Sequence, residues 1–234
     1  FLTPNLSSAM AMFGFVYAWY LMVVLLLEIW FDYRVDMINF AKTAKFPMNW
    51  FYKVISLFST DTSPHAIAID KKVIKFITII GIPSAFILHG YVGFIFGSIK
   101  ANPWWSSVLI PIVFLFSAIV SGIALILLLY MIITPSRGIP IDMKCLDKIA
   151  SFLLYAVIID FSLEILDFIH RLYESEESIK ILTEMVMNKL FISLVVLQVL
   201  IGMIVPLSIL IIIKLTGFNQ ELRKLLYFLS AILI

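Results

Sequence analysis

Apolar positions in this chain come in long unbroken runs, not in the short alternation of a half-buried strand or the striped pattern of a surface helix. Residues 8–33, 73–98, 104–133, 146–169 and 190–213 are each predominantly apolar over the length that crosses a hydrocarbon core, about 20 residues. A sixth run begins near Leu222 and reaches Ile234. Strands of a membrane barrel would alternate apolar and polar residues, so these runs predict helices. Residues 34–72 are mixed in character, and within them 48–58 combine aromatic and apolar residues with scattered polar ones. That stretch fits either a helix lying flat in the membrane interface or an ordinary loop. The expected fold is all-α, a polytopic transmembrane helix bundle of five full spans and a truncated sixth, in a single transmembrane domain over residues 1–234. The chain opens on Phe1 and stops inside an apolar run, and is expected to be a fragment of a longer subunit.

Composition supports the same picture. Hydrophobic residues make up 62% of the chain, charged residues 14%, and the mean hydropathy is +1.08. Soluble domains carry about 25% charged residues, so this chain has too few to clothe a surface in water. In lipid every backbone N–H and C=O needs a partner within the protein, which a helix provides. One cysteine, Cys145, excludes an internal disulfide and a cysteine-held cluster within the chain. No glycine-rich phosphate loop of the Walker or Rossmann type is present, which argues against nucleotide-driven chemistry.

The placement of charge says more than the net value of +2. Arg34, Lys42, Lys45, Lys53, Lys71 and Lys72 lie between the first two runs. Arg137, Lys144 and Lys148 lie between the third and fourth, and Lys214, Arg223 and Lys224 after the fifth. The opposite connections hold Lys100, and then Arg171, Lys180 and Lys189. The bias agrees at every alternation and makes the basic side cytoplasmic, in a multi-pass protein of the cytoplasmic membrane. Trp104 and Trp105, and the acidic loop at Glu174, Glu176 and Glu177, are then extracytoplasmic.

Some features read as packing devices. Gly93 and Gly97 form a GxxxG pair, and Ser117, Ser121 and Gly122 a second patch of small residues; both suit close helix contacts. Pro83, Pro111 and Pro206 lie inside runs, where each frees the carbonyl four residues earlier and favours a kink.

Ionisable groups inside apolar runs are functional candidates, because each costs about 2.5–3.5 kcal/mol to insert. His89 lies in the second run with Gly90, Tyr91 and Gly93 around it. Imidazole exchanges protons near neutral pH, and small residues, aromatic walls and one or two polar anchors suit a flat redox ring with two carbonyl oxygens. A structural histidine bonded to a neighbouring helix fits the same residues equally well. In the fourth run Asp160, Glu164, Asp167 and Arg171 share one helix face. That face must line the bundle interior or a wet cavity. Carboxylates one turn apart in a low dielectric repel, so the row is expected to hold at least one proton, with Arg171 keeping the outermost acid ionised. It suits a proton route, or a buried ion-pair network that fixes packing. Glu28 lies near the cytoplasmic end of the first run, and His65 in the polar connection.

One stretch of motifs carries a resemblance. His89-Gly90-Tyr91-Val92-Gly93-Phe94, then Asn102-Pro103-Trp104-Trp105, then Pro111 followed by Ser117-Ala118-Ile119-Val120-Ser121-Gly122, resembles the NrfD/PsrC family, the quinone-binding membrane subunits of polysulfide reductase and related complexes. The likeness is specific over residues 73–130. Asp167-Phe168-Ile169-His170-Arg171-Leu172-Tyr173-Glu174 is similar to the DsrP, or Hme, branch, the membrane subunit of the DsrMKJOP complex of sulfur metabolism. The resemblance implies a menaquinol site near the extracytoplasmic face, beside a ferredoxin-like Fe–S subunit, with no haem or cluster in this chain. It carries over to Tyr91 and, beside it, His89. The family has more helices than five, so some quinone contacts are expected on helices outside this stretch.

The expected function is that of a quinone-binding membrane subunit of a respiratory electron-transfer complex. It would exchange electrons between menaquinol or menaquinone and an extracytoplasmic Fe–S partner with proton transfer, linked to sulfur metabolism, and be active only within the complex. His89, Gly90, Tyr91 and Gly93 are the expected ring-binding residues, and His89, Asp160, Glu164 and Asp167 the proton-handling ones. Expected partners are the Fe–S subunit, other membrane and cytochrome subunits and the lipid bilayer, not nucleic acid. The rivals are a b-haem anchor with one haem between His89 and His170, a proton transporter using the acidic row, and an anchor with no ligand.

Overall fold

A computed structural model describes residues 5, 7–99, 105, 107–174 and 183–234. Every regular element among these residues is helical. Five helices are long and apolar enough to cross a membrane: α1 (Ala9–Thr43), α3 (Pro64–Gly97), α4 (Ile110–Ser136), α5 (Met143–Tyr173) and α6 (Phe191–Leu215). Two others complete the set used below, α2 (Met48–Ile55) and α7 (Gln220–Leu233). The protein is a multi-pass helical membrane protein. Its contacts fall into two compact units, residues 1–91 and 92–234, with the boundary inside α3.

The first unit shows why helices outrun the apolar sequence. α1 continues past Tyr33 to Thr43, and α3 starts at Pro64 instead of near residue 73. The extensions are held by a polar node. Arg34 donates to Asp70 through Nε at 2.9 Å and Nη2 at 2.6 Å, and through Nη1 to Ser59 Oγ at 3.0 Å and the Asp61 carbonyl at 2.8 Å. Both charged groups are buried, Arg34 at 5% exposure and Asp70 at 7%. Ser63 Oγ accepts the Ala66 N–H at 3.2 Å and Pro64 takes the first helical position, the arrangement that starts a helix with fewest orphan donors. The Asp61 carboxylate accepts the Ser63 N–H at 2.8 Å, and that bond holds its pKa below the ordinary value. Within residues 48–58 a helix forms over Met48–Ile55, and residues 56–58 are turns. α2 is tied to α1 by Trp30 Nε1 donating to the Ile55 carbonyl at 2.8 Å and by Phe40 stacking on Tyr52 at 5.4 Å.

In the second unit α4, α5, α6 and α7 surround a core that includes Val120, Leu127, Leu146, Leu153 and Leu210. The start of the third run differs from the expectation. Residue 104 lies outside the described residues, as do residues 175–177 of the acidic loop, and α4 begins only at Ile110. Pro111 therefore sits in the first turn, where its missing N–H breaks no hydrogen bond, and not inside a span. Pro83 is inside α3 as expected. Pro206 follows a π-helical stretch, Phe191–Ile204, and α-helical geometry resumes at Val205.

Gly93 and Gly97 bring α3 against the backbone leading into α4. A Cβ on Gly93 would lie 2.6 Å from Pro111 Cα and 2.8 Å from the Ile110 carbonyl oxygen, and one on Gly97 would lie 2.8 Å from the Ser107 carbonyl oxygen. Backbone cannot swing aside as a side chain can, so Gly93→Ala is expected to destabilise the protein by about 1–3 kcal/mol. Gly90, one turn earlier, has nothing within 4 Å of an added Cβ, and Gly90→Ala should leave stability within about 0.5 kcal/mol. Thermal melts of the two variants in detergent separate the cases.

Candidate functional site

The acidic row on α5 divides into two parts. At its far end Asp167 is fully engaged. Oδ2 accepts Arg171 Nε at 2.7 Å and also Nη2, while Oδ1 accepts the hydroxyl of Ser107. Ser107 Oγ in turn accepts the Leu109 N–H at 3.2 Å, immediately before α4. Asp167, Arg171 and Ser107 are all buried. This cluster ties α5 to the start of α4, and the pairing of Asp167 with Arg171 is the one expected from their spacing.

Asp160 and Glu164 differ. Both line a cavity of about 370 Å³ bounded by α4, α5, α6 and the end of α7. Ser117 and Ser121 reach it from α4, and Ser193, Gln198 and Gly202 from α6. Val120, Val157, Leu197 and Met203 supply apolar wall. Asp160 is 5% exposed, and among the described residues its Oδ1 has no hydrogen-bond partner. A buried carboxyl oxygen without a partner calls for a proton, a water or a ligand atom at that position. The cavity volume lies within the range of small-molecule sites, about 300–1,000 Å³. Ser117 and Ser121 line the cavity, and among the described residues a Cβ on Gly122 would meet nothing within 4 Å.

In the first unit His89, Gly90 and Tyr91 lie along α3. His89 Nδ1 is 2.9 Å from the carbonyl oxygen of Ala85, one turn back. A carbonyl only accepts, so Nδ1 carries the hydrogen in this arrangement, and in the neutral ring Nε2 is then the acceptor. A Cβ added to Gly90 would meet nothing within 4 Å among the described residues. The Tyr91 hydroxyl donates to the Ala9 carbonyl at 3.1 Å, and its ring stacks on Phe13 at 6.5 Å. Gly93, the fourth expected ring-binding residue, is spent on packing, because its open side is filled by Ile110 and Pro111. Further along α3, Ser84 accepts Trp19 Nε1 at 3.2 Å and Thr78 donates to Glu28 at 2.6 Å. Glu28 therefore has a partner within the first unit.

Sequence reasoning passed over Ser107, Ser193 and Gln198. Gln198 had a visible signal, an amide in the middle of an apolar run. Ser107 and Ser193 had none, since serine is common in membrane helices for packing alone.

The description "Polysulphide reductase, NrfD" belongs to a family model that matches residues 1–233. The chain is also 36% identical over 114 residues to a selenate reductase subunit from Mesobacillus selenatarsenatis, a match covering 47% of this chain and 27% of that protein. The chain thus spans only about a quarter of that relative's length. With five candidate membrane-spanning helices and a family match running nearly from end to end, the chain belongs to the NrfD family.

Proposed function

We propose that this chain is the quinone-binding membrane subunit of a reductase complex, exchanging electrons between menaquinol or menaquinone and an extracytoplasmic Fe–S partner. The observation that carries the reading is membership of the NrfD family over nearly the whole chain; beside it stands a buried Asp160 carboxyl, one oxygen without a hydrogen-bond partner among the described residues, lining a cavity shared with Glu164. The chain's own residues fit a quinone ring at His89. Gly90, the next residue on α3, leaves room beside the helix, and a neutral His89 offers Nε2 as an acceptor for a hydroxyl hydrogen; Tyr91, which packs on Phe13 of α1, faces away from His89 and lies outside that contact. A bound quinol supplies two electrons and two protons. His89 would hold one ring oxygen and take its proton. Asp160 and Glu164 carry protons in the second unit, where Ser117, Ser121 and Gln198 offer hydroxyl and amide groups for hydrogen bonding. Asp167 and Arg171 hold the frame of that unit.

The name of the selenate reductase relative and the resemblance to the DsrP branch both support a complex whose terminal chemistry involves sulfur or selenium compounds. The test is a titration of the purified complex with a menaquinol analogue, wild type against His89→Ala. Loss of one hydrogen bond beside the ring should weaken saturable binding by about tenfold. Unchanged binding places the ring elsewhere. A sharp haem band in the reduced-minus-oxidised spectrum that vanishes in His89→Ala would instead establish the b-haem anchor.

A further inference from the structure

A second cavity, of about 280 Å³, lies at the basic end of the second unit, between the start of α5, the end of α6 and the first turns of α7. Its polar lining includes Asp147, Ser151, Lys214, Thr216, Arg223 and Tyr227. Asp147 is already matched: it pairs with Arg223 and accepts the Tyr227 hydroxyl at 3.0 Å. Among the described residues Lys214 is not matched by an acid. Its Nζ donates to the Tyr155 hydroxyl at 2.6 Å and stands 4.3 Å over the Tyr155 ring, both neutral partners. One carboxylate thus faces two cations, and the cavity carries an uncancelled positive charge. Lys214 has further N–H donors, and Arg223, engaged by Asp147 and Tyr227, has five in all.

The cavity is amphiphilic as well as cationic. Ala150, Leu154, Leu210 and Ile213 form its inner wall, and beside it Ile212 and Leu215 of α6 are exposed. A soluble anion has no use for that apolar surface, whereas a lipid has a charged group for the first part and acyl chain for the second. We infer that this cavity binds the phosphate of an anionic phospholipid, with Lys214 and Arg223 on the phosphate oxygens and the acyl chains along the outer face of α6. The site lies among the lysines and arginines that the charge bias assigns to the leaflet richest in anionic lipid. It makes no use of the quinone reading.

Native mass spectrometry of the whole complex, with phosphatidylglycerol, phosphatidylcholine or inorganic phosphate added at matched concentration, tests it. One phosphatidylglycerol should bind more tightly than phosphatidylcholine and resist displacement by inorganic phosphate. Lys214→Gln, which leaves the Arg223–Asp147 pair intact, should weaken that lipid by about fivefold, the effect of one cation at a membrane surface. Arg223→Gln should weaken it further. Equal retention of the two lipids, or a Lys214→Gln complex that holds phosphatidylglycerol as wild type does, overturns the inference. Displacement by inorganic phosphate would overturn the lipid as the source and leave a soluble phosphate in its place.

Discussion

Replacing Glu164 with glutamine in the assembled complex is expected to lower quinol-dependent turnover by about a hundredfold or more while quinol binding stays at the wild-type level. Glutamine keeps the size and polarity of the side chain, so the cavity shared with Asp160 should persist. What it removes is the capacity to take up and release a proton. Asp160→Asn should act in the same direction, because its carboxyl lines the same cavity. Asp167→Asn should behave differently and reduce the amount of folded complex, since Arg171 would lose its charged partner. Steady-state turnover and quinol titration, run on the same preparations, distinguish a lost proton step from a lost fold. Normal turnover in Glu164→Gln would make the acid a packing group. Proteoliposomes that pass protons through wild type but not Glu164→Gln, with no quinol present, would instead favour a transporter.

The fold was legible because the membrane simplifies the physics. Without water to satisfy the backbone, a long apolar run has one common outcome, and the expected spans coincide with α1, α3, α4, α5 and α6 along most of their length. Their ends were less legible. Arg34 and Asp70 are 36 residues apart, and no local pattern announces that they meet and carry both helices beyond the apolar run. The start of α4 was misread for a related reason. Trp104 and Trp105 extend the apolar run, yet helical hydrogen bonding begins only at Ile110, where proline suits a first turn.

The candidate site was partly legible. An acid inside an apolar run must be matched by something, so Asp160, Glu164 and Asp167 drew attention together. Spacing placed them on one face but did not say that Ser107 and Arg171 would engage both oxygens of Asp167 while Asp160 kept one open. The glycines make the same point. Gly90 and Gly93 are identical in sequence terms, yet one faces open space and the other is pressed against Pro111. Small residues mark a place where something comes close or where room is left, and only the neighbouring chain decides which.

Arg34→Ala should destabilise the protein by about 3–5 kcal/mol, the cost of stranding a buried charge by removing its partner. Asp70 would keep its burial and lose both guanidinium bonds, and Ser59 Oγ and the Asp61 carbonyl would each lose a donor. The effect should appear as a lower melting temperature in detergent and a smaller yield of protein extracted from membranes. The double variant Arg34→Met with Asp70→Leu separates charge stranding from simple loss of contact. With both charges gone there is no stranded ion, so stability should return towards wild type. The return should be partial, because methionine cannot satisfy the Asp61 carbonyl as the guanidinium does. A double variant no better than Arg34→Ala would mean that the hydrogen bonds to Ser59 and Asp61, and not the ion pair, hold the ends of α1 and α3. A single variant that melts as wild type does would mean that the node is wet enough for water to replace the arginine, contrary to its 5% exposure.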